Sequence, residues 1–186
     1  RVVTVVLPRH HLKEFFRPGQ VDATGNVNNI AIGGTYRRPW LRLPGSGGIP
    51  DVTPVTTRAY LYVPRHSRAV FVAKLDYCSG IGHSTERTRG SGPRYLVTNL
   101  GQFDFAHGQL RLTSLHAGAD VERVRAKTGF DVQLAPGLAE TAPPTPKELT
   151  LLRNEIDPLG VRRLELLSGR GRQALLREIL VQERAV

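Results

Sequence analysis

Three glycines within four positions, Gly45, Gly47 and Gly48, sit inside the stretch RLPGSGGIPD (residues 42–51), with Pro44 and Pro50 on either side. Glycine gives up the most conformational entropy in a helix or strand interior, and proline withholds a backbone donor, so this stretch is a loop. With no Cβ in the way, a glycine N–H can also approach a reacting oxygen closely. Two roles fit. The loop turns the chain, or Gly47 and Gly48 bring bare N–H groups up to a ligand, where they could meet an oxygen that gains negative charge, as an oxyanion hole. In the second role Gly45 and Ser46 line the substrate path. Arg42, with Arg37 and Arg38 just before it, offers guanidinium forks that match phosphate oxygens.

Other residues with usable chemistry are few. Gln20 and Asn28 flank the turn DATGN (residues 22–26). They either face a substrate pocket or pin the turn through side-chain-to-backbone hydrogen bonds; Gln20 is kept as a substrate-binding candidate and Asn28 as a structural one. Cys78 has no evident partner histidine nearby and reads as a buried, inert thiol. The six histidines show no HExxH or Cys–His spacing, so no metal site is predicted. His83 follows the run SGIG (residues 79–82); it either faces a pocket or is a core or surface histidine, and the second reading is preferred. The arginine pairs read mostly as solvated faces.

The whole chain bounds these readings. Its 186 residues, 40% hydrophobic and 23% charged, suffice for one domain with a core. No apolar run is long enough to cross a bilayer, and VVTVVLP is broken at Pro8 without a signal-peptide core. A single cysteine forms no internal disulfide, and the chain reads as cytoplasmic. The net charge of +10 comes from 22 arginines and four lysines against 16 acids. The arginines are scattered and aromatics make up only 6%, so a nucleic-acid surface is not indicated; a polyanionic small ligand fits better. There is no methionine, and the chain opens mid-pattern on RVVTVV, which implies that an N-terminal portion of the gene product precedes it.

The pattern predicts an α/β or α+β chain. Strands are expected at Val2–Leu7, Ala59–Val63, Ala69–Leu75, Tyr95–Leu100 and Phe130–Ala135; Leu12–Phe16 is a strand or a short helix. Hairpins are expected about Asp22–Asn26 and about His107-Gly108. Thr85–Pro93 reads as a polar loop. A helix is expected over Ala119–Thr128, ended by Gly129. A second begins after Thr145, with Pro146 first and Glu148 third in a capping box, and stops at Asp157-Pro158. Gln173–Gln182 reads as an amphipathic helix.

Three ordered segments, GQVDATGNVN (19–28), RLPGSGGIPD (42–51) and VTNLGQFDF (97–105), resemble the beta subunit of class I coenzyme A transferases, in particular the glutaconate CoA-transferase branch. The resemblance continues through TSLHAGADVERVRAKTGFDV and PPTPKELTLLRNEIDPLG and spans roughly Val5–Gly160. Within YVPRHSRAVFVAKLDYCSGIGH (62–83), the Ser79–Gly82 run also resembles the beta subunit of a CoA-thioester hydrolase branch that opens the last steroid ring. The resemblance implies an open, mostly parallel sheet with flanking helices. It implies a domain over residues 1–160, N-terminally incomplete, with 161–186 a helical extension. It further implies acyl-CoA as substrate, no permanently bound cofactor, and an alpha-subunit partner in a hetero-oligomer. In the transferases a beta-subunit glutamate in a Ser-Glu context attacks the thioester. None of Glu14, Glu86, Glu122 or Glu148 has that context, so the nucleophile lies outside this chain or is absent. In the hydrolase branch the alpha subunit carries the catalytic carboxylate.

Overall fold

A computed structural model describes residues 9–10 and 13–184 of the protein. The chain forms two compact units, one ending at Thr141 and the other beginning at Ala142. The expected strand Val2–Leu7 lies outside the described residues.

The first unit is built on a six-stranded sheet. Its strands are β1 (Glu14–Phe16), β6 (Ala59–Val63), β7 (Pro93–Thr98), β8 (Gly101–Ala106), β9 (Gln109–Leu115) and β10 (Gln133–Glu140), side by side in that order. The pairings β1–β6, β6–β7 and β9–β10 are parallel, whereas β7–β8 and β8–β9 are antiparallel, so the sheet is mostly parallel. The β8–β9 turn is short because His107 and Gly108 both take positive φ, 50° and 76°. Such a turn matches the twist of the strands it joins.

Strand periodicity sorts the side chains. Leu61, Val63, Leu96, Phe103, Leu110 and Leu112 point into a core completed by Val21, Val27, Phe71, Leu100, Val124 and Val132. Each large side chain fully buried there contributes roughly 1.5–3 kcal/mol. On the opposite face Phe15, Tyr60 and Tyr95 sit in register across β1, β6 and β7, with ring centroids 5.1 and 6.0 Å apart. The helix α2 (Val121–Ala126) buries Val124 against the core and starts at Asp120, whose carboxylate accepts from Arg123 N–H.

Two short hairpins precede β6: β2 (Gln20–Val21) with β3 (Val27–Asn28), and β4 (Ala31–Ile32) with β5 (Leu41–Arg42). One turn of helix, α1 (Ile49–Val52), follows the glycine loop. The expected strand Ala69–Leu75 does not form. Val70 and Phe71 N–H both turn back to Ser67 C=O, and among the described residues Phe71 bridges Val21 alone. The neighbouring strand β2 is two residues long, so among the described residues the segment finds no further backbone to pair with.

The second unit is helical. The helix α3 (Pro146–Leu151) begins with the expected capping box: Thr145 Oγ1 accepts from Glu148 N–H, and the Glu148 carboxylate accepts from Thr145 N–H at 2.7 Å. The last turns loosen into a wider helix that ends at Asp157. The final helix α4 (Gly169–Arg184) buries Leu175 and Ile179 and runs longer than the amphipathic pattern suggested.

Candidate functional site

The turn between β2 and β3 is closed by one side chain. Asp22 Oδ1 accepts from Thr24 N–H and Asn26 N–H, and Oδ2 accepts from the Asn26 amide. Gly25 takes φ +79° at the tip, where a Cβ would lie 2.5 Å from Pro93 Cγ and 2.9 Å from a Phe105 ring carbon. The expected hairpin therefore forms, with a glycine required both for its dihedral and for the space.

Two asparagines carry the chain from this turn to the glycine loop. Asn28 is fully buried; its amide donates to Gln20 Oε1 (2.8 Å) and to Ala31 C=O (2.7 Å), and its Oδ1 accepts from Ile30 N–H (2.9 Å). Gln20 is also buried. It donates to Asp76 Oδ2 at 2.6 Å and accepts from Asp76 N–H and from Asn28. Both polar atoms of the Gln20 amide are thus engaged with protein, which fixes the 76–80 segment against β2. Asn29 accepts from Gly19 N–H at 2.6 Å, and its own N–H donates to Ser79 Oγ. A buried amide network of this kind specifies one arrangement because any broken member leaves unpaired polar atoms.

The glycine loop hangs from that network. Leu43 N–H donates to Ile30 C=O and Gly45 N–H to Asn29 C=O, at 3.1 and 2.9 Å. Beyond Gly45 two carbonyls are occupied: Ser46 C=O accepts from Ile49 N–H, and Gly48 C=O from Asp51 and Val52 N–H. The donors are not. Among the described residues no acceptor takes the N–H of Gly47 or Gly48. Gly45 and Gly47 take φ +108° and +52° with nothing within 4 Å of where a Cβ would stand, whereas Gly48 has an ordinary φ of −86°. The loop is therefore anchored on one side and open on the other, with the Gly47 and Gly48 N–H groups on exposed residues.

The run Ser79–Gly82 packs beneath it. A Cβ on Gly80 would meet Ile49 Cγ2 at 2.5 Å, and one on Gly82 would meet Thr24 C=O at 2.2 Å, so both glycines allow close approach, to α1 and to the β2–β3 turn. Arg87 closes the arrangement. Its guanidinium donates to Ile81, Gly82 and Thr53 carbonyls, and its Nε is buried without a partner. Burial lowers its pKa. Nothing in the polar loop around Arg87 sets it apart from the solvated arginine pairs, so sequence reasoning missed it. Three segments that are distant in sequence, 19–28, 42–51 and 79–82, thus converge.

The other candidates lie elsewhere. Arg42 is exposed, donates to Tyr36 C=O at 2.6 Å and stands 5.0 Å from the centre of the Tyr36 ring. Cys78 is exposed rather than buried, because Ser79 and Gly80 take the inward positions of that segment. Local burial of the sulfur raises its pKa, which keeps it a thiol. His83 is structural. Its Nε2 lies 2.7 Å from Pro93 C=O and its ring packs on Phe105. A shallow groove lined by Arg58, His83, Tyr95, Asp104 and Phe105 does not include the glycine loop. The VTNLG part of the third segment supports the core around His66, a residue that no motif marked, since PRHS reads only as a turn. His66 is buried, stacks on Phe71 at 3.8 Å, and lies between Thr98 Oγ1 (3.3 Å) and Thr128 Oγ1 (2.9 Å). Because the Thr128 hydroxyl donates to Val124 C=O, it accepts from His66, which fixes the proton on Nε2. Burial, with Lys127 adding to it, lowers the His66 pKa to about 4. Among the described residues no group of three His, Cys, Asp or Glu is placed to hold a metal ion, and no helix is long and apolar enough to cross a membrane.

With a mostly parallel sheet and a glycine loop held over a buried amide network, the geometry matches the coenzyme A transferase fold. The chain superposes on glutaconate coenzyme A-transferase from Acidaminococcus fermentans with a TM-score of 0.69 and 28% identity, covering 77% of this chain and 58% of that one. It is 34% identical over 148 residues to a 3-oxoadipate CoA-transferase subunit from Pseudomonas knackmussii, covering 75% of this chain and 56% of that protein. It is 36% identical over 156 residues to the cholesterol ring-cleaving hydrolase IpdB subunit of Mycobacterium tuberculosis H37Rv, covering 80% of this chain and 62% of that protein. No protein-family model matches the sequence. The chain spans about three-fifths of the length of these relatives. Over that span it belongs to the CoA-transferase beta-subunit family, which includes the ring-cleaving branch.

Proposed function

We propose that this chain is part of the beta subunit of a hetero-oligomeric enzyme that acts on acyl-CoA thioesters and transfers CoA between carboxylic acids. The observation that carries the reading is the pair of untaken N–H groups at Gly47 and Gly48 on an anchored, open loop. A carboxylate attacks the thioester carbonyl; the carbonyl oxygen gains negative charge and accepts a hydrogen bond from Gly47 or Gly48. The tetrahedral species collapses to an acyl anhydride and releases CoA as thiolate. The thiolate attacks the anhydride at the enzyme's carboxyl carbon, freeing the first acid and leaving an enzyme thioester, from which the acceptor acid takes CoA by the reverse steps. In the transferases that the chain resembles, the attacking glutamate follows a serine; no serine in this chain is followed by glutamate, so in this scheme the carboxylate comes from outside these residues. Gly45 and Ser46 line the acyl-CoA path, and an alpha subunit completes the pocket. CoA enters as substrate, and no resident cofactor is part of the scheme. Gln20 supports the site from below through its buried hydrogen bonds rather than by touching substrate.

A second reading, a CoA-thioester hydrolase subunit of ring-opening type, is favoured by the 36% identity to the IpdB subunit and by the packing of the Ser79–Gly82 run against α1, which follows the loop. The two are separated by incubating the assembled complex with acyl-CoA, quenching with hydroxylamine and weighing the subunits. A hydroxylamine-sensitive glutamyl adduct, with turnover that requires an acceptor acid, supports the transferase. Consumption of acyl-CoA without acceptor or adduct supports the hydrolase. No turnover of any acyl-CoA across short, branched and polycyclic acyl groups refutes both.

A further inference from the structure

The hairpin that leads into the glycine loop has features the acyl-transfer site does not use. Between Asp22 and Asp51 the sequence holds no acidic residue but three arginines, Arg37, Arg38 and Arg42. Its two strands, β4 and β5, pair in register Ala31↔Arg42 and Ile32↔Leu41. The tip closes on itself: Thr35 and Arg38 exchange backbone hydrogen bonds at 3.3 and 3.0 Å, and Trp40 N–H donates to Ile32 C=O. Gly33 and Gly34 both take left-handed φ, 60° and 62°. A Cβ on Gly33 would lie 2.1 Å from the Trp40 ring, so the indole lies directly on bare backbone. Its remaining surface faces water, for Trp40 is 85% exposed. Tyr36 is 63% exposed, held at its edge by Tyr77 and from above by the Arg42 guanidinium. Arg37 and Arg38 are exposed, with no side-chain partner among the described residues.

Two aromatic rings held in place yet exposed, beside two unpaired guanidinium forks, match a ligand that has both a flat π-face and several phosphates. Two large rings exposed on one hairpin, each braced by its neighbours, present a surface that a flat ligand can cover. From Trp40 the chain runs only seven residues to Gly47, at most about 25 Å when fully extended, so one elongated molecule can touch both. We infer that the β4–β5 hairpin is a nucleotide clamp: Trp40 and Tyr36 stack the purine of coenzyme A, and Arg37 and Arg38 pair with its phosphates, while the thioester end lies at Gly47 and Gly48. This rests on the acyl-CoA reading above for the identity of the nucleotide.

Trp40 is the only tryptophan in the chain, so its fluorescence reports the clamp directly. The full chain is titrated with CoA, 3′-dephospho-CoA and pantetheine, with Trp40→Phe as the blank. CoA quenches saturably, 3′-dephospho-CoA binds more weakly, and pantetheine has no effect. The double variant Arg37→Ala/Arg38→Ala weakens CoA binding about tenfold or more, and added salt weakens the wild type. In the assembled enzyme the same double variant raises KM for acyl-CoA more than for acyl-pantetheine. The clamp is overturned if CoA quenches no more than pantetheine does, or if the double variant binds CoA as the wild type does. It is also overturned if the double variant instead loses assembly with the partner subunit, which would make the hairpin a protein interface. Quenching by CoA without acyl-CoA turnover keeps the clamp and sinks the acyl-transfer reading, whereas turnover without quenching sinks the clamp alone.

Discussion

Replacing Gly48 by valine separates an oxyanion donor from a turn. Gly48 has φ −86° and ψ 5°, open to any L-residue, and the only atom near a Cβ there is Val52 Cγ2 at 4.0 Å. The substitution introduces no left-handed strain and no clash, so stability stays within about 1 kcal/mol of the parent. The branched side chain instead fills the open space over the loop, where a thioester must approach the N–H. If that N–H meets the developing oxyanion, kcat of the assembled enzyme falls about 10²–10³-fold with a smaller change in KM. The paired control is Gly25→Ala in the β2–β3 turn. There a Cβ meets Pro93 at 2.5 Å and Phe105 at 2.9 Å, with φ +79°. Overpacking and backbone strain together cost about 2–4 kcal/mol, or roughly 5–15 °C in Tm, and leave the rate per folded molecule nearly intact. Steady-state kinetics and thermal melts on both variants decide the matter. An unchanged kcat in Gly48→Val refutes the oxyanion role. A raised KM at unchanged kcat means that the loop contacts CoA only in the ground state.

His66 makes stability pH-dependent. Its pKa is about 4 in the folded chain against 6.5 unfolded, so the unfolded state binds more protons between those values and stability falls as pH drops through that window. The loss approaches about 3 kcal/mol below pH 4; chemical denaturation at pH 7 and pH 4 should show it, and His66→Gln should flatten that part of the slope. Asn28→Ala removes a fully buried amide, leaves Ile30 N–H without its acceptor and takes one donor each from Gln20 Oε1 and Ala31 C=O, which should cost about 2–4 kcal/mol and lower activity through a displaced glycine loop; an unchanged melt would refute the network's role. Thr145→Ala should destabilise the second unit by about 1 kcal/mol, seen as early helix loss by circular dichroism.

What the sequence made legible was local. The Asp22–Asn26 turn, the His107-Gly108 turn, the Asp120 start of α2 and the Thr145 capping box all satisfy their own backbone groups within a few residues, so their types and spacing suffice to find them. The glycine loop was legible as a loop for the same reason. The segment Ala69–Leu75 has the composition of a strand but depends on a partner 50 residues earlier that is too short to pair with it. His66 carries no local signal, because the two hydroxyls that fix its tautomer come from β7 and from the residues just after α2, 32 and 62 positions away. Average burial misplaces Cys78; which residues of an irregular segment turn inward depends on contacts that have no period.

The buried amides explain why the loop can leave donors unpaired. A loop with two positive-φ glycines and free N–H groups would collapse onto its own carbonyls if nothing held it. Here Asn29 and Ile30 carbonyls take the donors of Gly45 and Leu43, and α1 takes the carbonyls of Ser46 and Gly48, so both ends are fixed while the middle is not. Asn28 and Gln20 hold those acceptors in turn, and they are buried where water cannot compete. Donors held in place without an acceptor need little reorganisation when an oxyanion forms, and that is the condition under which a backbone N–H stabilises a transition state more than a ground state. In the proposed acyl-transfer site, the polar residues nearest the loop would serve it by holding its anchors rather than by reaching a substrate. This accounts for the saturated hydrogen bonding of Gln20, a residue whose position in sequence suggested direct contact.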